Sequence, residues 1–319
     1  MDNHILEIKN LDRVFRIGGM IFGNKIKAVD DVSIKMPSDR AWIMSVVGES
    51  GSGKTTLARM ILGLLETSAG EITIDGKSIH YHMKHKKEFY RLVQPIFQNP
   101  FTAFSAKQTV ESYLFETALN LGMAKDKEEA AALITETLKR VGLNYDQVKN
   151  KYPNQFSGGE LQRISIARAL ITKPKIIVAD EPVAMIDASL RMNIVNIFRF
   201  LKEEAGVSFV YITHDLSTAY YVSDYIATMY KGSMIEFGKA QDVLEKPGHP
   251  YTQLLLDSIP KVGDKWTAKD RMHMADAEKK VLSKIGCKFA RRCPYATDQC
   301  YQNTPEMVTL EGEHRSLCM

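Results

Sequence analysis

Residues 154–170 read NQFSGGELQRISIARAL. From Leu161 onward the apolar residues recur at helical spacing, with Leu161, Ile164, Ala167 and Ile171 in one stripe about 120° wide. Two adjacent glycines, Gly158 and Gly159, stand in the first turn of that helix, where each costs about 1 kcal/mol relative to alanine. Ser157 and Glu160 form an S-x-x-E capping box, which starts a helix without any ligand. A cap does not explain two glycines. The pair implies that something outside the helix approaches closely enough to leave no room for side chains.

Downstream, KIIVADEP (175–182) reads as a buried apolar strand ending in two carboxylates, Asp180 and Glu181. Charges at a buried strand end are costly unless a cation meets them, so Asp180 suits a magnesium shell and Glu181 the role of orienting and deprotonating an attacking water. Upstream, GESGSGKTT (48–56) has Gly48, Gly53, Lys54 and Thr55 at the fixed positions of a phosphate loop, between a strand and a helix. There the backbone from Gly48 through Ser50, Gly51, Ser52 and Gly53 to Thr56 curls its N–H groups toward phosphate oxygens. Lys54 reaches the β and γ phosphates, and Thr55 holds Mg²⁺. These residues make the chain a nucleotide-binding protein.

The rest of the chain frames these sites. Residues 5–46 alternate in short runs, as an antiparallel sheet leading into a buried strand does, and Leu57, Met60, Ile61, Leu64 and Leu65 then take helical spacing. Residues 108–142 read as two helices broken at Gly122, an insertion in an otherwise α/β pattern. Beyond it, KIIVAD, ASLRMNIVNIFRFLKEEAG, SFVYITHD, LSTAYYVSDY and IATMYKGSMIEFG alternate strand and helix, which implies a mostly parallel sheet. KPGHP, from Lys246, marks a boundary.

The chain's 319 residues, 45% of them hydrophobic, allow about two domains. Its net charge of +4 comes from 42 basic and 38 acidic residues spread along the sequence, which is no nucleic-acid footprint. The densest basic run, His80 to Arg91, reads as a solvated face, with a phosphate surface or a metal on His80, His82 and His85 as the alternatives. No apolar run approaches the roughly 20 residues that cross a bilayer, and MDNHILEIKN lacks the order of an export signal. The expectation is a cytoplasmic protein.

A phosphate loop with an Asp-Glu strand occurs in many NTPases; SGGEL, placed between a helical insertion and that strand, resembles the signature sequence of ABC ATPases. The resemblance covers the whole chain. It implies a RecA-like P-loop NTPase core of α/β class with an N-terminal antiparallel β subdomain, a helical subdomain at about 100–165 and a small cysteine-containing extension, divided at 1–245 and 246–319. It also implies what lies beside the glycines: ATP held by one copy's phosphate loop is sandwiched by Ser157, Gly158 and Gly159 of another. Gln98, in IFQNP, resembles the glutamine that senses Mg²⁺ and the attacking water, and His214, in YITHD, the histidine that contacts the γ-phosphate. Asp187 matches the loop that crosses the dimer interface, though it follows Ala-Met-Ile where Ser-Ala-Leu is usual, and it also suits the cap of a helix beginning at Ala188. Phe15, with Phe22 in reserve, is the aromatic expected to stack on adenine, and Phe101 and Phe104 suit either a groove beside Gln98 or packing inside the helical lobe.

All 4 cysteines, Cys287, Cys293, Cys300 and Cys318, lie in the last tenth of the chain. A reducing cytoplasm argues against disulfides. Zinc sites commonly use paired C-x2-4-C knuckles, which this spacing lacks, whereas a cuboidal cluster tolerates wider loops, with Lys288, Arg291 and Arg292 to offset its charge. GHPYTQLLLDSIP, in which His249 reads as a helix-start residue, and CKFARRCPYATDQC resemble the C-terminal extension of the dipeptide and oligopeptide importers. For that extension a 4Fe-4S cluster is implied, with zinc and then free structural thiols as the alternatives.

Together these resemblances imply an active ATPase: the ATP-hydrolysing subunit of a prokaryotic importer, peripheral on the cytoplasmic side of the cell membrane. Its implied partners are a second ABC ATPase subunit, either a paralogue or a second copy, two membrane-spanning permease subunits and an extracytoplasmic substrate-binding protein, with no nucleic acid. Peptides are the default cargo, and EPVAMIDASLR (181–191) resembles oligosaccharide carriers of the branch. The rival readings are a soluble ABC protein without transport and a redox-sensing binding module.

Overall fold

The computed structural model of the chain describes residues 4–17, 24–259 and 286–318. Strands β1 (His4–Ile17) and β2 (Asn24–Pro37) pair antiparallel. Val32, Ile34 and Met36 of β2 are buried and the residues between them are not, the alternation of a sheet covered on one face. Strand β3 (Ile43–Val47) is buried at every position, because elements cover it on both sides. Helix α1 (Lys54–Ile61) follows it and buries Leu57, Ala58, Met60 and Ile61. Strands β4 (Ala69–Ile74) and β5 (Lys77–Ser78) complete a four-stranded antiparallel sheet in the order β2-β1-β4-β5. Helices α2 (Ile79–Lys84) and α3 (Lys86–Leu92) lead into β6 (Val93–Ile96).

A helical lobe follows, made of α4 (Val110–Asn120), α5 (Lys127–Arg140), α6 (Tyr145–Val148) and α7 (Gly158–Ile171). Val110, Leu114, Ile134 and Leu138 pack on Leu161 and Ile164. Helix α7 departs from the expected single stripe. Gln162, Ser165, Ile166, Ala169 and Leu170 are buried as well, so the helix is enclosed by the lobe and the sheet together rather than lying on a surface.

The chain then returns to the sheet through β7 (Ile176–Asp180), α8 (Ala188–Ala205), β8 (Ser208–Thr213), α9 (Leu216–Val222), β9 (Tyr225–Tyr230), β10 (Ser233–Lys239) and α10 (Ala240–Glu245). IATMYKGSMIEFG is two strands, not one. Lys231 and Gly232 both adopt positive φ, 43° and 87°, the geometry that a two-residue hairpin needs.

After α11 (Pro250–Asp257) and α12 (Asp298–Gln302), strands β11 (Met307–Glu311) and β12 (His314–Leu317) form a hairpin, and β12 pairs with β10. The second sheet therefore has the order β11-β12-β10-β9-β3-β8-β7-β6 and runs across the boundary expected at 245/246. Pairs β3·β8, β3·β9, β7·β8 and β6·β7 are parallel. The carboxyl ends of β3, β7 and β8 thus open on one edge, where α/β sheets bind ligands, and that edge carries Gly48, Asp180 and His214. Among the described residues no helix is long and apolar enough to cross a membrane.

Candidate functional site

The phosphate loop is closely held by its own fold. Gly48 has φ 148° and Gly53 φ 107°, and a Cβ on either would lie 2.2 Å from a backbone oxygen, of Met229 or Ala28 respectively. Only glycine meets both demands. Ser52 is buried, Ser50, Gly51 and Thr55 are exposed, and Thr56 is half-buried. The Lys54 Nζ donates to the carbonyls of Gly48 at 2.7 Å and Glu49 at 2.8 Å, and to Ser52 Oγ at 3.3 Å. Burial pushes its pKa below the usual lysine value, against the pull of Glu181, Asp180 and Glu49. No acidic residue occupies the first turn of α1, so its free N–H groups present an uncompensated positive end to the loop.

Beside the loop stand the two carboxylates. Thr55 Oγ1 donates to Asp180 Oδ1 at 3.3 Å. Burial, with the Glu181 charge added, pushes the Asp180 carboxyl up despite the Thr55 bond and the Lys54 charge. A cation there would relieve that cost, so the donor set fits Mg²⁺. Glu181 adopts φ 47°, an uncommon backbone conformation for a side-chain-bearing residue. Its carboxylate lies between two groups: Gln98 Nε2 donates to Oε2 at 2.9 Å, and His214 Nδ1 is 3.3 Å from Oε1. Gln98 and His214 are exposed.

At the start of α7 the capping box forms. Ser157 N–H donates to Glu160 Oε2 at 2.9 Å, and Glu160 N–H donates to Ser157 Oγ at 3.3 Å. The glycines have ordinary helical φ, and their own chain gives them space. A Cβ on Gly159 would come no closer than 3.7 Å to Leu190 Cδ1, and one on Gly158 would stand 3.3 Å from the Met185 carbonyl oxygen. Crowding inside the chain accounts for little at Gly158 and nothing at Gly159. Asp187 occupies the N-cap position of α8, but its side chain makes no capping bond and is exposed, so the capping explanation fails.

The remaining expected residues divide. Phe15 is half-buried, with the Arg13 guanidinium 4.7 Å above its ring; Phe22 lies outside the described residues. Phe104 is buried edge-on to Tyr113, inside the helical lobe, while Phe101 is 42% exposed. The histidine run makes no metal site among the described residues. His82 is buried with Nε2 against the Ile74 carbonyl, and the His85 ring stacks on Tyr81.

All four cysteines line one cavity of about 260 Å³, together with His249, Phe289 and Thr297. Among the described residues, however, no group of three or more His, Cys, Asp or Glu side chains is gathered for a metal ion. Burial pushes the Cys287 thiol up, while N–H and hydroxyl donation from Thr297 pulls that of Cys300 down. His249 Nδ1 accepts the Tyr251 N–H at 3.0 Å, a helix cap. Two of the three cations expected to offset cluster charge have other partners. Lys288 Nζ lies 2.6 Å from Asp30 Oδ2, and the Arg292 guanidinium makes two 2.8 Å bonds to the Glu49 carboxylate. Sequence reading missed Glu49, whose one signal is the oddity of a carboxylate inside an anion-binding loop.

Comparison with known proteins matches residues 29–184 to the ABC transporter family and residues 235–300 to the family described as "Oligopeptide/dipeptide transporter, C-terminal region". The chain is 40% identical over 262 residues to the oligopeptide transport ATP-binding protein OppF of Bacillus subtilis (strain 168), covering 82% of this chain and 84% of that protein. It is 33% identical over 310 residues to the di/tripeptide transport ATP-binding protein DppF of Pseudomonas aeruginosa (strain UCBPP-PA14), covering 96% and 95%. Among solved structures, the ATP-binding cassette MJ0796, in a dimeric post-hydrolysis state bound to ADP and Pi, superimposes with a TM-score of 0.64 at 28% identity, over 74% of this chain and 98% of the other.

Proposed function

This chain belongs to the ABC transporter family as an ATP-binding subunit of its oligopeptide/dipeptide importers, and from that premise we propose how its residues divide the work of ATP hydrolysis. Lys54 turns from the Gly48 and Glu49 carbonyls to the β and γ phosphates, cradled by the backbone from Gly48 through Ser50, Gly51, Ser52 and Gly53 to Thr56. Thr55 and Asp180, with Gln98, hold Mg²⁺, which offsets phosphate charge when bound. Phe15 offers adenine one ring face, the other carrying Arg13.

Glu181 accepts a proton from water. The water oxygen bonds to the γ-phosphorus, the bond from that phosphorus to the bridging oxygen breaks, and ADP carries away the electron pair. Gln98 and His214, one on each carboxylate oxygen, keep Glu181 from rotating, and this two-sided hold is the observation that carries the assignment. The site is completed by a second ABC subunit, whose equivalents of Ser157, Gly158, Gly159 and Asp187 close over the triphosphate. The Glu181→Gln variant is expected to retain ATP binding, lose turnover by a hundredfold or more, on the order of 3 kcal/mol of barrier, and accumulate as a closed dimer. Normal hydrolysis by that variant would overturn the role.

Closure and reopening drive two permease subunits from the cytoplasmic face of the membrane, with an extracytoplasmic binding protein delivering the cargo. We infer peptide cargo. The named relatives carry oligopeptides and di- or tripeptides, and the oligosaccharide expectation from residues 181–191 has no counterpart in them. The transporter C-terminal region disfavours the non-transport reading, and the Gln98–Glu181–His214 arrangement disfavours a binding module without turnover.

For the tail we keep a 4Fe-4S cluster, with zinc second, because Cys287, Cys293, Cys300 and Cys318 share one cavity; no step of hydrolysis runs through it. Protein purified without oxygen is expected to be brown, with broad absorption near roughly 400 nm. Colourless protein containing one zinc per chain decides against the cluster.

A further inference from the structure

We propose that Arg292 and Tyr251, both in the C-terminal extension, are positioning residues of the phosphate loop, and that their grip on Glu49 sets the loop's affinity for a nucleoside triphosphate. The inference rests on the nucleotide-site reading above. Glu49 is the second residue of GESGSGKTT, and every polar group it has is engaged. Its N–H donates to the Tyr251 hydroxyl at 2.8 Å, and its carbonyl accepts Lys54 Nζ at 2.8 Å and the Ser52 N–H at 3.2 Å. Its carboxylate receives both arms of Arg292 at 2.8 Å, the bidentate geometry that fixes orientation as well as charge. Two of these three attachments come from more than 200 residues away.

The grip is built on rigid parts. Tyr251 is fully buried. The Arg292 side chain is only 17% exposed, and its guanidinium lies 5.7–6.0 Å from the ring centres of Phe289, Tyr230 and Tyr251, which orient it before it meets the carboxylate. A second tether runs in parallel. Lys288 Nζ donates to Asp30 Oδ2, to Ser233 Oγ at 2.7 Å and to the Lys231 carbonyl at 2.9 Å. The Gly232 N–H, in that same turn, donates to the Ser52 carbonyl at 2.8 Å. The two cations of CKFARRC that face the core thus brace the loop at Glu49 and behind Ser52.

The electrostatic consequence has a definite sign. An unpaired Glu49 carboxylate would repel an incoming triphosphate, and Arg292 cancels that charge. It also fixes the Glu49 carbonyl on which Lys54 rests. Loss of the pair therefore weakens ATP binding more than it slows the chemical step, which takes place at Glu181.

The test titrates the intact chain with a fluorescent ATP analogue and Mg²⁺, and measures steady-state hydrolysis and melting temperature, for the unaltered protein, Arg292→Gln, Arg292→Lys, Tyr251→Phe, Glu49→Gln, the double variant Arg292→Gln/Glu49→Gln and, as the non-binding control, Lys54→Ala. Arg292→Gln is expected to raise Kd and KM for ATP about tenfold, equivalent to about 1.4 kcal/mol, with kcat at saturation within about twofold. Arg292→Lys falls between, Tyr251→Phe raises Kd by about threefold, and adding Glu49→Gln to Arg292→Gln recovers most of the lost affinity. An unchanged Kd in Arg292→Gln overturns the proposal. So does a loss that follows melting temperature alone and that Glu49→Gln does not recover, since that is a folding defect. If the unaltered chain binds the analogue no better than Lys54→Ala does, it is the nucleotide-site reading that fails, not the tether.

Discussion

At Gly159 two demands can be separated experimentally. The residue has ordinary helical φ and space for a Cβ in its own chain, so an alanine there relieves a helix-propensity cost of up to about 1 kcal/mol. In the two-subunit site proposed above, the same methyl group would stand where a partner's triphosphate is proposed to bind. Gly159→Ala is therefore expected to melt no lower than the unaltered protein while its ATP turnover falls at least tenfold, checked by calorimetry and a phosphate-release assay on one preparation. Normal turnover would mean that nothing approaches this turn. The positions of Lys54, Thr55, Asp180 and Glu181 could be read in the sequence, because phosphate-loop chemistry dictates residue type at fixed spacing, whereas Gln98 and His214 were singled out only by family resemblance; the fold brings these residues to one edge. Their present bonds were not legible. That Lys54 rests on its own loop's carbonyls, or that Glu181 takes a positive φ, depends on backbone geometry that residue type leaves open.

At the scale of elements, α11 shows how one buried side chain ties stability to pH. His249 caps it through Nδ1, so the neutral ring carries its proton on Nε2, and burial pushes its pKa down to about 4 from 6.5. Because the folded value lies below the unfolded one, the contribution is fully present above about pH 6.5 and is lost as pH falls toward 4. Between pH 7 and pH 5 the loss amounts to about 2 kcal/mol. His249→Asn keeps a capping acceptor that does not titrate. The stability difference between the two proteins, measured by denaturant unfolding, is expected to shift by about 2 kcal/mol in favour of the variant from pH 7 to pH 5; parallel curves would show that His249 titrates normally. Sequence reading placed His249 at a helix start, since the proline after it marks one. It read α7 too simply, because periodicity reports one buried face and cannot reveal that the sheet covers the others.

At the scale of the whole molecule, composition suggested a separate tail, and the structure joins that tail to the sheet. β12 lies between β11 and β10, pairings that no local pattern encodes because 78 residues separate Glu236 from His314. The buried Glu236 side chain accepts the Gly248 N–H at 2.6 Å and the His249 N–H at 3.1 Å, with His314 Nε2 at 2.6 Å, so β10, the start of α11 and β12 meet on one carboxyl group. Such a junction opens only at the cost of an unpaired buried carboxyl group, and the extension should therefore unfold with the core. A ligand that binds only the folded state at one hundred times its Kd stabilises that state by about 2.7 kcal/mol, which slows exchange through global unfolding about a hundredfold. In Glu181→Gln, where ATP is not consumed, saturating ATP with Mg²⁺ is expected to slow hydrogen exchange of the 314–317 amides by the same factor as those of 43–47, read by mass spectrometry. Exchange in 314–317 that ignores ATP while 43–47 is protected would mean that the extension opens on its own, and the sheet would then be continuous in geometry but not in cooperativity.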